Sequence, residues 1–133
     1  MAMNNPYIAY QQSSVATASS GELTLMLYDG CLKFIKQAKL SIEKEHYEEK
    51  NKSILKAQKI ITELMVTLNT DIEISKNMMV MYEYMNSRLI EANIKNENFI
   101  LDEVEALVKE FRETWKQVIQ VNRLQQFGKG GKA

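Results

Sequence analysis

Residues 101–122 read LDEVEALVKEFRETWKQVIQVN, and this stretch decides the fold class. Its apolar positions recur at alternating steps of three and four residues, which is the spacing of one face of an amphipathic helix. The face comprises Leu101, Val104, Val108, Phe111, Trp115 and Val118, and Asn122 continues the spacing. We expect Phe111 and Trp115 to lie in the core, because large buried aromatic side chains contribute strongly to stability.

Three earlier segments show the same pattern. The first helix is expected from about Ser20, the second carries a seam with the same spacing, and the third is expected from about Ser75 to Asn93. The seam consists of Ile54, Ala57, Ile61, Leu64 and Leu68. Short polar stretches join these segments, so sequential helices should pack side by side. The sequence therefore predicts an all-α fold, an antiparallel four-helix bundle with an extended N-terminal arm.

The chain divides into three parts by composition. Residues 1–19 hold no charged side chain but include Tyr7 and Tyr10, so we expect a flexible arm able to dock. Residues 20–127 form the predicted bundle. Residues 128–133 are rich in Gly and Lys and are predicted to be a disordered tail.

Composition narrows the class of protein. The 133 residues suit one domain, and 17 Lys and Arg balance 17 Asp and Glu, which argues against nucleic-acid binding. No apolar run approaches the length of a membrane span, and the first residues lack the features of a signal peptide. A single cysteine fits a reducing compartment. We therefore expect a cytosolic protein without direct membrane insertion.

Groups for catalysis or metal binding are scarce in this sequence. His46 is the only histidine and lies in a charged stretch, where a solvated surface side chain is expected. Cys31 lies on an apolar face, which favours a buried and unreactive thiol. A di-iron site in a helical bundle needs two Glu-x-x-His pairs, and one histidine does not supply them. We expect no enzyme activity, no metal and no cofactor.

Apolar surface on the helices is more abundant than one buried stripe per helix requires. Five methionines cluster around the second loop and the third helix, either as a Met-rich core or as an adaptable groove for an amphipathic partner. They are Met65, Met78, Met79, Met81 and Met85. Met79 and Met81 cannot both point inward, because they lie about 200° apart on a helix. Gly30, inside the first helix, suggests a close approach by a neighbouring helix.

Three blocks of sequence resemble a known family. Residues 5–35, NPYIAYQQSSVATASSGELTLMLYDGCLKFI, look like the N-terminal signature of the flagellar export chaperones specific for flagellin, the FliS family. Residues 81–97, MYEYMNSRLIEANIKNE, resemble that family's third helix and the following turn. Residues 103–119, EVEALVKEFRETWKQVI, resemble its final helix.

The resemblance implies a mainly four-helix chaperone that holds the C-terminal segment of flagellin in the cytosol. It would prevent premature polymerisation and help to deliver the client to the flagellar type III export gate. Tyr7 and Tyr10 match positions implicated in docking to the cytoplasmic domain of the gate protein, although they could simply fasten the arm to the bundle. We expect a monomer or weak homodimer; the alternative is a structural helical-bundle protein that self-assembles. The predicted flagellin-binding groove comprises Ile54, Ala57, Ile61, Leu64, Met65, Met78, Met81, Tyr82 and Met85.

Overall fold

A computed structural model describes residues 20–69 and 71–132 of the protein. In these ranges the chain forms four helices and no strand, which confirms the all-α prediction. The predicted arm, residues 1–19, lies outside the described residues. The helices are α1 (Ser20–Glu43), α2 (Tyr47–Val66), α3 (Glu73–Lys95) and α4 (Asn98–Lys132).

Each helix packs against its neighbours in the chain. α1 lies against α2 and α4, and α3 also lies against α2 and α4. Short connections reverse the chain between successive helices, so the four form an antiparallel ring around a common core. The predicted bundle is confirmed.

The turn between α1 and α2 ends the first helix with a left-handed residue. Glu45 has a φ of 58°, and its N–H donates to the carbonyl of Ile42 at 3.0 Å. The next N–H, from His46, donates to the carbonyl of Ser41 at 2.8 Å. These two bonds form a Schellman motif, which satisfies carbonyls at the helix end. His46 is exposed at the start of α2, as the sequence predicts.

The backbone of α4 runs past the predicted end of the bundle. Composition predicts a bundle that ends at residue 127 and disorder beyond it, whereas helical backbone continues to Lys132. Each of the three glycines in residues 128–131 disfavours a helix interior by about 1 kcal/mol relative to Ala. The boundary at residue 127 and the disorder of the tail therefore stay predictions.

The core draws fully buried side chains from all four helices. Tyr28 and Ile35 of α1 are at most 1% exposed, and Phe111 and Trp115 are partly buried and pack against the same cluster. The sequence predicts both aromatic side chains in the core, whereas the structure places them at its edge, partly exposed. Other buried members are Ile54, Ile61, Leu64, Met85, Leu89, Leu101, Val104 and Val108.

Gly30 lies at the contact between α1 and α2. It is buried, and a Cβ atom at this position would come within 3.2 Å of the Cδ1 atom of Ile60. Gly30 therefore packs closely against α2, through the tip of the Ile60 side chain.

Candidate binding surface

Most of the predicted groove lies inside the bundle. Six of its nine members are at most 1% exposed, so no partner reaches them in this conformation. They are Ile54, Ala57, Ile61, Leu64, Tyr82 and Met85. The structure thus corrects their expected accessibility: an apolar repeat of three and four residues marks the stripe that a bundle buries first. A groove that used these side chains would require the helices to separate.

The other three members of the predicted groove reach the surface. Met65, Met78 and Met81 are partly exposed, and Met65 and Met78 also pack against the core cluster. They lie at the rim between core and solvent. Methionine suits such a position, because its unbranched side chain adapts to different partners.

Hydrogen bonds fix which side of α3 faces α2. The Nδ2 atom of Asn93 donates to Oδ1 of Asn51 on α2 at 2.6 Å. Lys50 Nζ, also on α2, donates to the carbonyl and to Oδ1 of Asn93, both at 2.7 Å. Burial lowers the pKa of Lys50. The Asn93 side of α3 therefore faces α2.

A second set of bonds ties the other side of α3 to α4. Tyr84 donates its hydroxyl hydrogen to Oε2 of Glu103 at 2.7 Å, and Arg88 Nε donates to Oε1 of the same carboxylate at 2.6 Å. The hydrogen bond from Tyr84, with a further contribution from Arg88, lowers the pKa of Glu103. Exposed pairs of this kind add little stability. These hydrogen bonds show that the side of α3 that carries Tyr84 and Arg88 faces α4.

The two methionines that cannot both point inward lie on these opposite sides. Met79 precedes Asn93 by nearly four helical turns, which places it on the α2 side. Met81 precedes Arg88 by nearly two turns, which places it on the α4 side. Both are partly exposed, as expected for side chains at the edges of a buried stripe. α3 is therefore apolar on both flanks.

We call the first flank the α2–α3 face, consisting of Leu55, Met65, Met79 and Ile90. Leu55 and Met65 follow Asn51 by about one and four turns along α2, so they share its side of that helix. Ile90 lies about one turn before Asn93 on α3. Leu55 is 53% exposed and Ile90 is 43% exposed. Both side chains are therefore open to a partner on this side of α3.

We call the second flank the α3–α4 face, consisting of Ile74, Met81, Leu107 and Val118. Leu107 follows Glu103 by about one turn, and Val118 follows it by about four turns. Ile74 is 64% exposed and Val118 is 40% exposed. Each side of α3 thus offers an apolar strip that the bundle itself does not cover.

Neither Leu55 nor Ile90 belongs to the groove that the sequence predicts. The usable signal is their phase on the helix. Both lie off the buried stripe by roughly a quarter turn or more, where a soluble helix ordinarily carries polar side chains.

Cys31 shows no sign of a reactive thiol. It is fully buried, and burial raises its pKa to about 12. Thiolate nucleophiles need the opposite shift. The expectation of a buried cysteine is confirmed.

The described residues include neither a metal site nor a membrane-spanning helix. No group of three or more His, Cys, Asp or Glu side chains there could hold a metal ion. No helix in the described part of the chain is long and apolar enough to cross a membrane. The fold thus defines the class of protein, an antiparallel four-helix bundle, and both faces of α3 leave apolar side chains open to a partner.

Comparisons with known proteins identify the family. The protein family described as "Flagellar protein FliS" matches residues 3–122 of this chain. The flagellar secretion chaperone FliS of Bacillus subtilis (strain 168) is 56% identical over 131 residues, covering 98% of both chains. The protein of that name from Escherichia coli (strain K12) is 35% identical over 109 residues, or 80% of each chain. The chain belongs to the FliS family and is a flagellar chaperone by that membership.

A solved structure supports the fold independently. The chain resembles a crystal structure of a flagellar chaperone from bacteria with a TM-score of 0.72, over 87% of this chain and 98% of the other. The sequences are only 14% identical, so this likeness establishes the fold alone.

Proposed function

We propose that the protein is a cytosolic export chaperone specific for flagellin. It binds the C-terminal segment of flagellin, prevents premature polymerisation and helps to deliver the client to the flagellar type III export gate. Two things support this: membership of a family whose relatives are named flagellar secretion chaperones, and the two uncovered apolar flanks of α3. The observation that carries the proposal is that Met79 and Met81 lie partly exposed on opposite flanks.

The two faces suit a client that is disordered when free. Such a segment can pack its apolar side chains against the α2–α3 face, pass around α3 and pack against the α3–α4 face as well. Methionines at the rim adapt to its side chains. Because the segment must become ordered, tight binding needs a large contact area, and a wrapping path along both faces provides one.

Calorimetric titration with the C-terminal segment of the protein's own flagellin tests the proposal. We expect a one-to-one complex with a large negative heat-capacity change, the mark of apolar burial. The double variant Leu55→Ser, Ile90→Ser should bind at least about tenfold more weakly, since both side chains are anchors on the α2–α3 face. Both residues are partly exposed, so the fold should be kept.

Leu40→Ser is the matched control. Leu40 is 54% exposed, close to the exposure of Leu55, but it lies on α1, which packs against α2 and α4. Its replacement should leave client affinity unchanged. Equal weakening by Leu40→Ser would refute the placement on α3, and no binding to the unaltered protein would refute the choice of client.

We further propose that Tyr7 and Tyr10 dock to the cytoplasmic domain of the export-gate protein after the client has bound. Both residues lie outside the described part of the chain. The double variant Tyr7→Ala, Tyr10→Ala should keep its affinity for flagellin and lose affinity for the gate domain. Loss of both affinities together would mean that the tyrosines only fasten the arm to the bundle.

Size-exclusion chromatography with and without flagellin peptide tests the alternative that the protein self-assembles. The unbound protein should elute as a monomer or weak dimer in size-exclusion chromatography, and flagellin peptide should convert it to a one-to-one complex. A large oligomer that ignores the peptide would favour a structural role.

A further inference from the structure

An open groove of about 670 Å³ lies between α1 and α4, away from both faces of α3. Leu32 and Leu40 give it an apolar strip, and Lys33, Lys36, Lys109 and Arg112 line it with positive charge. Leu40 is 54% exposed and Leu32 is 9% exposed, so Leu40 provides most of the apolar surface that is open to a partner.

The charge of this groove is positive although the chain as a whole is neutral. Four cations and two anions line it, which gives a net charge of +2 (four minus two), whereas the chain has 17 of each sign. Both anions, Asp29 and Glu113, bond to the guanidinium of Arg112. Lys109 lies 4.0 Å from Glu105, whose carboxylate also accepts a hydrogen bond from Lys39 at 3.2 Å. Both carboxylates that line the groove are thus engaged by Arg112.

The cations form two rows that face each other across the groove. Lys33 and Lys36 are about one turn apart on α1. Lys109 and Arg112 are likewise one turn apart on α4, and Lys116 continues that row as an exposed side chain. Two basic rows with leucines between them complement a segment that is apolar along one line and acidic on both sides of it.

We propose that the groove between α1 and α4 binds an acidic amphipathic segment of a partner protein. Apolar side chains of the segment pack against Leu32 and Leu40, and its carboxylates lie beside Lys33, Lys36 and Lys109. This site is separate from the faces of α3, so the proposal does not depend on flagellin binding.

The charge and lining of the groove favour an acidic peptide over the protein's own residues 1–19 and over single-stranded nucleic acid. The protein's own residues 1–19 contain no charged side chain, so the basic rows have no complement there. Single-stranded nucleic acid is held by cations together with aromatic side chains that stack on bases, and none of the residues lining this groove is aromatic. The carboxylates of Asp29 and Glu113 also oppose a continuous phosphate backbone. A peptide can place its charges beside the lysines and avoid those two positions.

The test uses the full chain and a capped amphipathic peptide with leucines on one helical face and glutamates on the other. A second peptide carries lysine in place of each glutamate. Fluorescence anisotropy should show binding of the acidic peptide that weakens as salt is added, and little binding of the basic one. In nuclear magnetic resonance spectra, the acidic peptide should shift the amide signals of α1 and α4 around Lys36 and Lys109.

Charge-reversal variants separate the groove from general electrostatics. Lys36→Glu with Lys109→Glu should weaken acidic-peptide binding at least about tenfold, because like charges then meet across the contact. Lys44→Glu with Lys59→Glu, at exposed positions outside the groove, makes the same change in net charge and should have little effect. Leu40→Ser should also weaken this peptide, whereas Leu55→Ser with Ile90→Ser should not.

Several results would overturn the proposal. The two pairs of charge reversals could weaken acidic-peptide binding equally. The peptide could shift the amide signals of α2 and α3 instead of those of α1 and α4. Leu40→Ser could leave the affinity for the peptide unchanged. Tighter binding of a single-stranded oligonucleotide or of vesicles of anionic lipid would assign the groove to those ligands instead. Because the flagellin titration depends on the Leu55→Ser, Ile90→Ser variant, failure there and failure here are distinguishable.

Discussion

The indole Nε1 of Trp115 donates a hydrogen bond of 2.8 Å to the carbonyl oxygen of Gly21. The bond joins α4 to the first turn of α1. Gly21 also lies against α4 farther along, since a Cβ atom there would meet Cγ1 of Ile119 at 3.3 Å. The start of α1, from which residues 1–19 extend, is therefore held to α4 by a polar contact and by close packing.

The first prediction concerns this bond. Trp115→Phe keeps an aromatic ring and removes the donor, so it should lower the free energy of unfolding by about 1 kcal/mol. Urea denaturation followed by circular dichroism measures the change, because the variant loses the chain's only tryptophan as a fluorescent probe. Hydrogen exchange should quicken in the first turn of α1 and stay unchanged in the middle of α2. Uniform loss of protection throughout the bundle would show that the bond has no local role.

The sequence predicts the bundle well because its evidence for helices is redundant. The seam at Ile54, Ala57 and Ile61, for example, repeats over several turns, and one substitution would not hide it. Such a repeat indicates which stripe of the helix is most apolar, and in the structure this stripe lies in the core.

The two apolar faces of α3 are harder to predict, since a few side chains off the stripe define them. Leu55 and Ile90 are recognisable only once the phase of α2 and α3 is known. That phase depends on contacts such as Asn51 with Asn93, which join residues far apart in the chain. A single sequence does not reveal such a pairing, so six core residues were assigned to the groove instead.

The second prediction concerns a buried pair of hydroxyl groups. Tyr28 and Tyr82, each 1% exposed, share a hydrogen bond of 2.5 Å between their hydroxyl oxygens. Tyr82→Phe leaves the hydroxyl of Tyr28 buried without this partner, which should cost about 1–3 kcal/mol of unfolding free energy. Tyr28→Phe should cost a similar amount.

The double variant supplies the control for this pair. With both hydroxyls removed no buried group is left unpaired, so Tyr28→Phe with Tyr82→Phe should be less destabilised than the sum of the single variants. A double-mutant cycle from urea denaturation measures the coupling. Strict additivity would mean that the two hydroxyls do not stabilise each other.

The third prediction is a loss of stability at alkaline pH that Cys31 helps to cause. Burial raises the pKa of this thiol from 9.0 to about 12. Above pH 9 the unfolded chain therefore releases the proton while the folded chain keeps it. The free energy of unfolding then falls as pH rises towards 12, with a slope of at most about 1.4 kcal/mol per pH unit.

Cys31→Ala isolates this contribution. The variant should be less stable at neutral pH but should lose stability less steeply between pH 9 and 12. Burial also raises the pKa of Tyr28 and of Tyr82, which adds a loss above about pH 10 in both proteins, and this part cancels in the difference. Parallel curves for the two proteins would show that the thiol is ionised as easily in the folded state as in the unfolded state.

The fourth prediction concerns the contact between Gly30 and Ile60. Alanine in a helix interior is favoured over glycine by about 1 kcal/mol, but its Cβ at position 30 would lie 3.2 Å from Cδ1 of Ile60. That atom is the far end of a partly exposed side chain, so it can shift by a few tenths of an ångström. Gly30→Ala should therefore be neutral to slightly stabilising, whereas Gly30→Val should destabilise the bundle by about 1–3 kcal/mol through overpacking.

Ile60→Val shows whether the contact limits the gain at position 30. It removes Cδ1, so Gly30→Ala made in that background should recover the full helix preference of about 1 kcal/mol. The comparison needs thermal or urea denaturation of the four proteins in this cycle. If Gly30→Ala destabilises both backgrounds equally, the obstacle is the approach of the two backbones, and the spacing of α1 and α2 depends on glycine itself.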